Sequence, residues 1–258
     1  MSDSTVSPLP TRGAGPGLMP DLDVRFEAAI AHYWEARRAQ KKKQEDAGTI
    51  DTGTRSAVTG NTQMGALEVL ASDILTGAGL EGSHVRIRPA LELPGYYRPE
   101  KRWDLLVVAN KTLICAVEFK SQVGPSFGNN FNNRVEEAIG NATDLWTAFR
   151  EGRMGTSAPR PILGYFFLLE DCPAVHTPVR NTEPFFPVDP DLKGVSYAKR
   201  YEMFCRRLVS ERLYDVSCLT PSKATAPHDA SHPSPDLTFR RFAAELDAAA
   251  RRFVSGSG

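Results

Sequence analysis

The sequence predicts a mixed α/β fold, a central mixed β-sheet flanked by helices, and three observations lead there. Segments with apolar residues at helical spacing alternate along the chain with segments that read as strands. The run Ile162–Leu169 is apolar on both parities, as a central strand covered on both faces has to be. No internal repeat and no linker composition divides the 258 residues, so the elements fall into one domain, 21–258. The stretch before it, residues 1–20, is rich in Pro and Gly and is expected to be a flexible arm.

Taken in order, Asp21 and Asp23 stand where helix caps belong, ahead of Phe26, Ile30, Tyr33 and Trp34 at helical spacing. That helix runs out into Lys41, Lys42 and Lys43, which suit a solvated face. Residues 46–62, rich in Gly and Thr, read as a loop. A second helix is predicted over Gln63–Leu75, with Leu67, Leu70 and Ile74 inward. His84–Leu93 reads as a strand that ends at the Pro94-Gly95 turn. Trp103–Val108 and Leu113–Phe119 are two β-rich runs joined by a hairpin turn at Asn110-Lys111. Ser121–Asn133 reads as a loop, after which Val135, Ala138, Ile139, Ala142, Trp146 and Phe149 mark a long amphipathic helix. Beyond Ile162–Leu169, Tyr197, Tyr201, Phe204 and Leu208 make another helix, and Val216–Leu219 a short strand. Ser234-Pro235-Asp236 opens the last helix, which carries Phe239, Phe242, Leu246 and Phe253.

Composition excludes several classes of function. Lys and Arg number 31, equal to Asp and Glu, which argues against nonspecific coating of nucleic acid while leaving room for a local basic cleft. No apolar run reaches the roughly 18–20 residues of a membrane span. The N-terminus has neither the cationic nor the apolar region of a secretory signal. Cys115, Cys172, Cys205 and Cys218 form no C-x-x-C pair and read as reduced thiols of a cytoplasmic protein. No Cys/His spacing suits zinc, and His228 and His232 sit in a Pro/Ser-rich loop.

The segment with chemical content is Trp103–Lys120. Glu118 and Lys120, two apart on a strand, share one face, and Phe119 takes the other. A hairpin about Asn110-Lys111 brings Asp104 opposite Val117 or Glu118, and a register step of one residue decides whether its carboxylate joins them. Two carboxylates and an ammonium together suit Mg²⁺, a hard cation that keeps several waters and binds phosphate. Such an ion stabilises charge on a phosphoryl oxygen and lowers the pKa of an attacking water. Taken alone, however, a Glu-x-Lys pair in a strand is more often a salt-bridge cluster at a strand end.

Asp104, thirteen further residues, then Glu118-Phe119-Lys120 has the form of the PD-(D/E)XK nuclease signature, with Trp103 where a Pro is usual. Around it, residues 103–151 resemble the XhoI family of Type II restriction endonucleases, as do Ile50–Gly60, Pro94–Trp103, Pro161–Asp171 and Phe239–Phe242. The resemblance runs from about residue 24 to 253. It implies a restriction-endonuclease-like core and Mg²⁺-dependent hydrolysis of both strands of double-stranded DNA at a short palindrome. The family's site is CTCGAG, cut after the first C to leave a 5′ overhang. By motif position, Asp104 and Glu118 would be metal ligands, with the Phe119 carbonyl as a third. Lys120 would orient or exchange a proton with water, and Glu68, on the second helix, would be a further carboxylate of the site. The family role also implies a DNA methyltransferase as functional partner in a restriction-modification system, and a palindrome is read most simply by a homodimer.

Base reading is expected from Asn129, Asn130, Asn132, Asn133 and Arg134, which follow the catalytic strand, since Asn pairs with adenine and Arg with guanine in the major groove. Asn-rich segments are also ordinary turn formers. Arg55, in the 48–62 loop, is the second choice. A repair or junction-resolving nuclease, or a DNA-binding protein without catalysis, are the alternatives.

Overall fold

A computed structural model describes residues 18–46, 63–156 and 158–256. Residues 47–62, with Arg55 and nearly all of the predicted loop, and residues 1–17 of the predicted arm lie outside the described residues. The helices are α1 (Leu22–Asp46), α2 (Gly65–Gly77), α3 (Phe127–Arg150), α4 (Pro173–His176), α5 (Tyr197–Ser210) and α6 (Phe239–Gly256). The strands are β1 (Val85–Arg86), β2 (Glu92–Pro94), β3 (Glu100–Arg102), β4 (Leu105–Ala109), β5 (Thr112–Gln122), β6 (Ile162–Glu170) and β7 (Val216–Ser222).

The main sheet has five strands in the order β1-β4-β5-β6-β7. Its first three strands pair antiparallel and the last two add in parallel, so the sheet is mixed, as predicted. One face packs under α1, α2 and α6, the other under α3 and α5. The central strand β6 shows why it has no polar parity: Leu163, Tyr165, Phe167 and Leu169 enter one core, Phe166 and Leu168 the other. On the first face Phe26, Phe119, Phe166, Phe239 and Phe242 form a ring cluster, with Phe26 and Phe239 stacked at 4.1 Å and Phe119 5.5 Å from Phe166. Ring pairs of this kind contribute about 0.5–1.5 kcal/mol each beyond their burial. Because Phe119 is anchored there, its neighbours Glu118 and Lys120 are presented firmly on the opposite face.

The two-residue turn is as predicted: Asn110 and Lys111 have φ of 49° and 60°, the left-handed pair that a type I′ hairpin needs. The four cysteines are free thiols. No helix among the described residues is long and apolar enough to cross a membrane.

Three expectations are corrected. Ser234-Pro235-Asp236 does not open the last helix: Pro235–Leu237 is a separate 3-10 turn, Thr238 is extended, and α6 starts at Phe239. His84–Leu93 is not one strand: Val85–Arg86 joins the main sheet, and Glu92–Pro94 pairs with β3 in a separate hairpin. Between them Pro89 has no N–H to give a ladder, and Ala90 turns to a φ of 64°. Nor is Ser121–Asn133 all loop, because β5 runs on to Gln122 and α3 already begins at Phe127. Asn is a weak helix former, but Phe127 and Phe131 pack on Tyr197, Tyr201 and Phe204 of α5, and this tertiary contact overrides the local preference.

Candidate active site

The register between β4 and β5 sets which side chains meet. From the turn outward, Ala109 opposes Thr112 and Val108 opposes Leu113, but Val107 then opposes Cys115, leaving Ile114 as an extra residue. Ile114 and Cys115 consequently both enter the same core, although they are consecutive in a strand. Leu106 then opposes Ala116 and Leu105 opposes Val117, and the next step sets Asp104 against Glu118. Without the bulge Asp104 would stand opposite Val117 and point to the other face. One irregular residue thus brings the two carboxylates together.

Glu118 is buried, and each of its two oxygens has a partner. Oε1 lies 2.5 Å from the Lys120 ammonium, while Oε2 lies 3.0 Å from Lys101 Nζ and accepts a hydrogen bond of 3.0 Å from Asn141 Nδ2. Asp104 Oδ2 accepts the Phe119 N–H at 2.8 Å and lies 3.9 Å from Lys120 Nζ. The main chain at Phe119 therefore lies beside Asp104. Side-chain exposures of 23% for Lys120 and 12% for Asp104 leave the group an opening to solvent. The Lys101 ammonium also rests 4.3 Å above the Trp103 ring.

The charges are strongly coupled. Burial pushes the Glu118 carboxyl up, but Lys120 and Lys101 outweigh it and hold Glu118 below the usual glutamate range. Asp104 is raised, by burial first, with Glu118 adding and Lys120 opposing. Burial works against the charge on Lys120, yet Glu118 and Asp104 keep it above the ordinary lysine value. For Lys101 burial wins, and its pKa falls. Glu68 is also buried, on α2, with Oε2 3.5 Å from Arg88 Nη2. Its pKa rises to about 7, by desolvation and then by the charge of Asp104, which places Glu68 in electrostatic reach of the cluster.

Among the described residues no three His, Cys, Asp or Glu side chains form a closed metal cage. The donor set is instead two neighbouring carboxylates, Glu118 buried and Asp104 partly open to solvent, which fits Mg²⁺, since that ion uses one or two carboxylates and keeps waters and phosphate for its other positions. Of the segment expected to read bases, Asn129, Asn132 and Asn133 are exposed on the first turns of α3, and Asn130 and Arg134 are half-buried. Arg134 pairs with Glu137, and its charge acts against that of Lys120, so it belongs to the edge of the cluster more than to the outer face. Lys101, Asn141, Arg98 and Asp144 were not legible as site residues. Asn141 and Asp144 carried a signal, because they are polar positions beside the inward stripe Ala138, Ala142 and Leu145. Lys101 carried none, lying between Glu100 and Arg102 in a run of three charges.

Residues 43–232 match a family model described as restriction endonuclease XhoI. The chain is 51% identical to the Type II restriction enzyme BstVI of Geobacillus stearothermophilus, over 67% of this chain and 79% of that one. It is 48% identical to the Type II restriction enzyme XhoI of Xanthomonas vasicola, over 73% and 76% of the two chains. Against the Type II restriction enzyme AbrI of Azospirillum brasilense the identity is 45%, over 64% and 74%. No solved structure matches.

Proposed function

The chain belongs to the XhoI family of restriction endonucleases and is a Type II, site-specific DNA endonuclease; from that premise we propose that it cuts both strands of double-stranded DNA at CTCGAG, after the first C, using Mg²⁺. The observation that carries the chemistry is the convergence of Asp104, Glu118 and Lys120 on one face of the sheet. Asp104 and Glu118 supply the oxygen donors, with the Phe119 carbonyl as a third and Glu68 as a carboxylate behind them. A bound Mg²⁺ supplies Lewis acidity for the scissile phosphate and lowers the pKa of an attacking water. Lys120 directs its ammonium at that water or at a phosphate oxygen, and Arg134 adds positive charge at the same edge. Asn129, Asn132 and Asn133, which face outward, read base edges, with Asn130 beside them and Arg55 as the second element.

A palindrome cut on both strands calls for two copies of the centre, so the working form is a homodimer on DNA. In the cell the enzyme acts in the cytoplasm beside a DNA methyltransferase that protects the host's own sites. The test is digestion of a sequenced phage DNA by purified protein with Mg²⁺, followed by mapping of the ends. Fragments ending at CTCGAG with 5′ overhangs are expected. Discrete fragments ending at another sequence would overturn the site, and a smear of random ends would overturn specific cleavage.

A further inference from the structure

The separate hairpin of β2 and β3 is tied to Glu118 by an unusual investment of buried polar groups. Asp144 of α3 is buried, and three donors meet it: the Tyr96 and Tyr97 N–H groups reach Oδ1 at 2.8 Å each, and Arg98 Nε reaches Oδ2 at 2.7 Å. The same guanidinium donates from Nη2 to Asn141 Oδ1 at 2.7 Å, and Asn141 donates in turn to Glu118 Oε2. The turn has to hug α3 for this to work. A side chain at Gly95 would put its Cβ 2.5 Å from the Arg98 carbonyl and 2.7 Å from Asp144 Oδ2, so only glycine fits there. A second tie comes from the same hairpin, the Lys101 ammonium on Glu118.

A buried carboxylate and a buried amide cost free energy unless every lone pair and proton is matched. What the arrangement achieves is a rigid path of hydrogen bonds from the hairpin tip to one oxygen of Glu118. At that tip Tyr96 and Tyr97 are 45% and 71% exposed, packed edge to face on each other at 4.9 Å. Each offers a phenol that can donate to phosphate or lie against a sugar or base. A duplex whose major groove alone is about 12 Å wide, seated with a phosphate at Glu118, also extends over its surroundings, and the tip is part of them.

We infer that the hairpin Glu92–Arg102 is a DNA-contacting arm whose tip tyrosines touch the duplex, and that Asn141 is the positioning residue that links this contact to the placement of Glu118. The inference rests on the reading of the cluster as a nuclease centre. Its consequence is that a correct grip on DNA and a correctly held carboxylate are achieved together. The exposed position of Tyr97 makes it the better probe, because Tyr97→Ala removes no buried contact and leaves the fold in place.

The experiment measures three quantities on wild type, Tyr97→Ala and Asn141→Ala. They are the affinity for a CTCGAG duplex in Ca²⁺, the single-turnover cleavage rate at saturating DNA across a Mg²⁺ titration, and Mn²⁺ binding to the DNA-free protein by calorimetry. Outer groups that orient a metal ligand typically matter by about tenfold to a hundredfold in metal affinity or activity. Asn141→Ala is therefore expected to lose about that factor in Mn²⁺ affinity without DNA and in rate, with DNA affinity nearly unchanged. Tyr97→Ala is expected to leave Mn²⁺ binding without DNA untouched, yet to lower the rate at saturating DNA and to raise the Mg²⁺ midpoint. In the double variant the Tyr97 effect on rate should shrink, since Asn141 no longer relays it and only the Lys101 tie remains. A Tyr97→Ala protein that loses affinity alone, or that cleaves at the wild-type rate when saturated, overturns the inference while wild-type cleavage leaves the nuclease reading intact. Absence of cleavage by wild type under all metals would instead overturn that reading first.

Discussion

Lys101→Met tests how the buried Glu118 is held. Methionine keeps an unbranched stem for packing on Trp103 and deletes only the ammonium, 3.0 Å from Glu118 Oε2. The two side chains are 12% and 2% exposed, so solvent screens the pair poorly. Removing one partner of a buried ion pair costs about 3–5 kcal/mol when the other is left uncompensated. Glu118 here keeps Lys120 at 2.5 Å and the Asn141 amide at 3.0 Å, which moves the expectation below that range, to about 2–3 kcal/mol. For a chain of this size that is a fall in melting temperature of about 4–12 °C. Thermal unfolding followed by circular dichroism in metal-free buffer at pH 7 gives the value directly. Divalent metal should recover part of the loss, because a cation that binds only the folded protein stabilises it by mass action and Glu118 then has less positive charge around it. A melting temperature equal to wild type, with or without metal, would refute the view that Lys101 compensates Glu118.

Three further outcomes are expected. Lys120→Ala should lower the single-turnover cleavage rate far more than DNA affinity, because one ammonium among many phosphate contacts adds little to binding; equal losses in stopped-flow cleavage and in filter binding would make it a DNA-binding residue instead. Asn132→Ala and Asn133→Ala should each cost about 1–3 kcal/mol of discrimination between cognate and scrambled duplexes at one salt concentration, whereas a phosphate contact would weaken both equally. Burial raises the Asp144 carboxyl, but Arg98 and the Tyr96 and Tyr97 amides hold it below the usual aspartate range. Its stabilising effect is thus full above the unfolded value of about 3.9 and is lost as pH falls through the lower folded value. The difference in melting temperature between wild type and Asp144→Asn should shrink below about pH 4, and a difference that stays constant down to pH 2 would contradict it.

The helices were legible because their buried residues recur with the helical period, as Phe26, Ile30 and Tyr33 do in α1. The central strand was legible from the opposite property, apolar residues on both parities between Ile162 and Leu169. The turn at Asn110-Lys111 could be placed from residue type, since Asn tolerates the left-handed region. The bulge beside it could not. Ile114 and Cys115 are both apolar and both faces of β5 are buried, so pattern alone is indifferent to a slip of one residue, yet that slip decides where Asp104 points. The start of α3 is hidden in the sequence for a related reason: its first turns are rich in Asn, and what makes them helical is the contact of Phe127 and Phe131 with α5, 66 or more positions further along. The site was legible to the extent that it is local. Asp104, Glu118 and Lys120 lie within one hairpin, whereas Lys101, Asn141 and Asp144 reach Glu118 and the hairpin tip only through tertiary packing.

Asp104, Glu118 and Lys120 are proposed as the centre that cleaves DNA, and one substitution decides the matter. That substitution is Asp104→Asn, a near-isosteric change that removes one carboxylate charge and leaves an oxygen to accept the Phe119 N–H. The measurement is single-turnover cleavage of a CTCGAG duplex in Mg²⁺, with binding of the same duplex followed in Ca²⁺. The expected result is a folded protein that binds the duplex specifically and does not cut it in Mg²⁺. Cleavage by Asp104→Asn at the wild-type rate would contradict it.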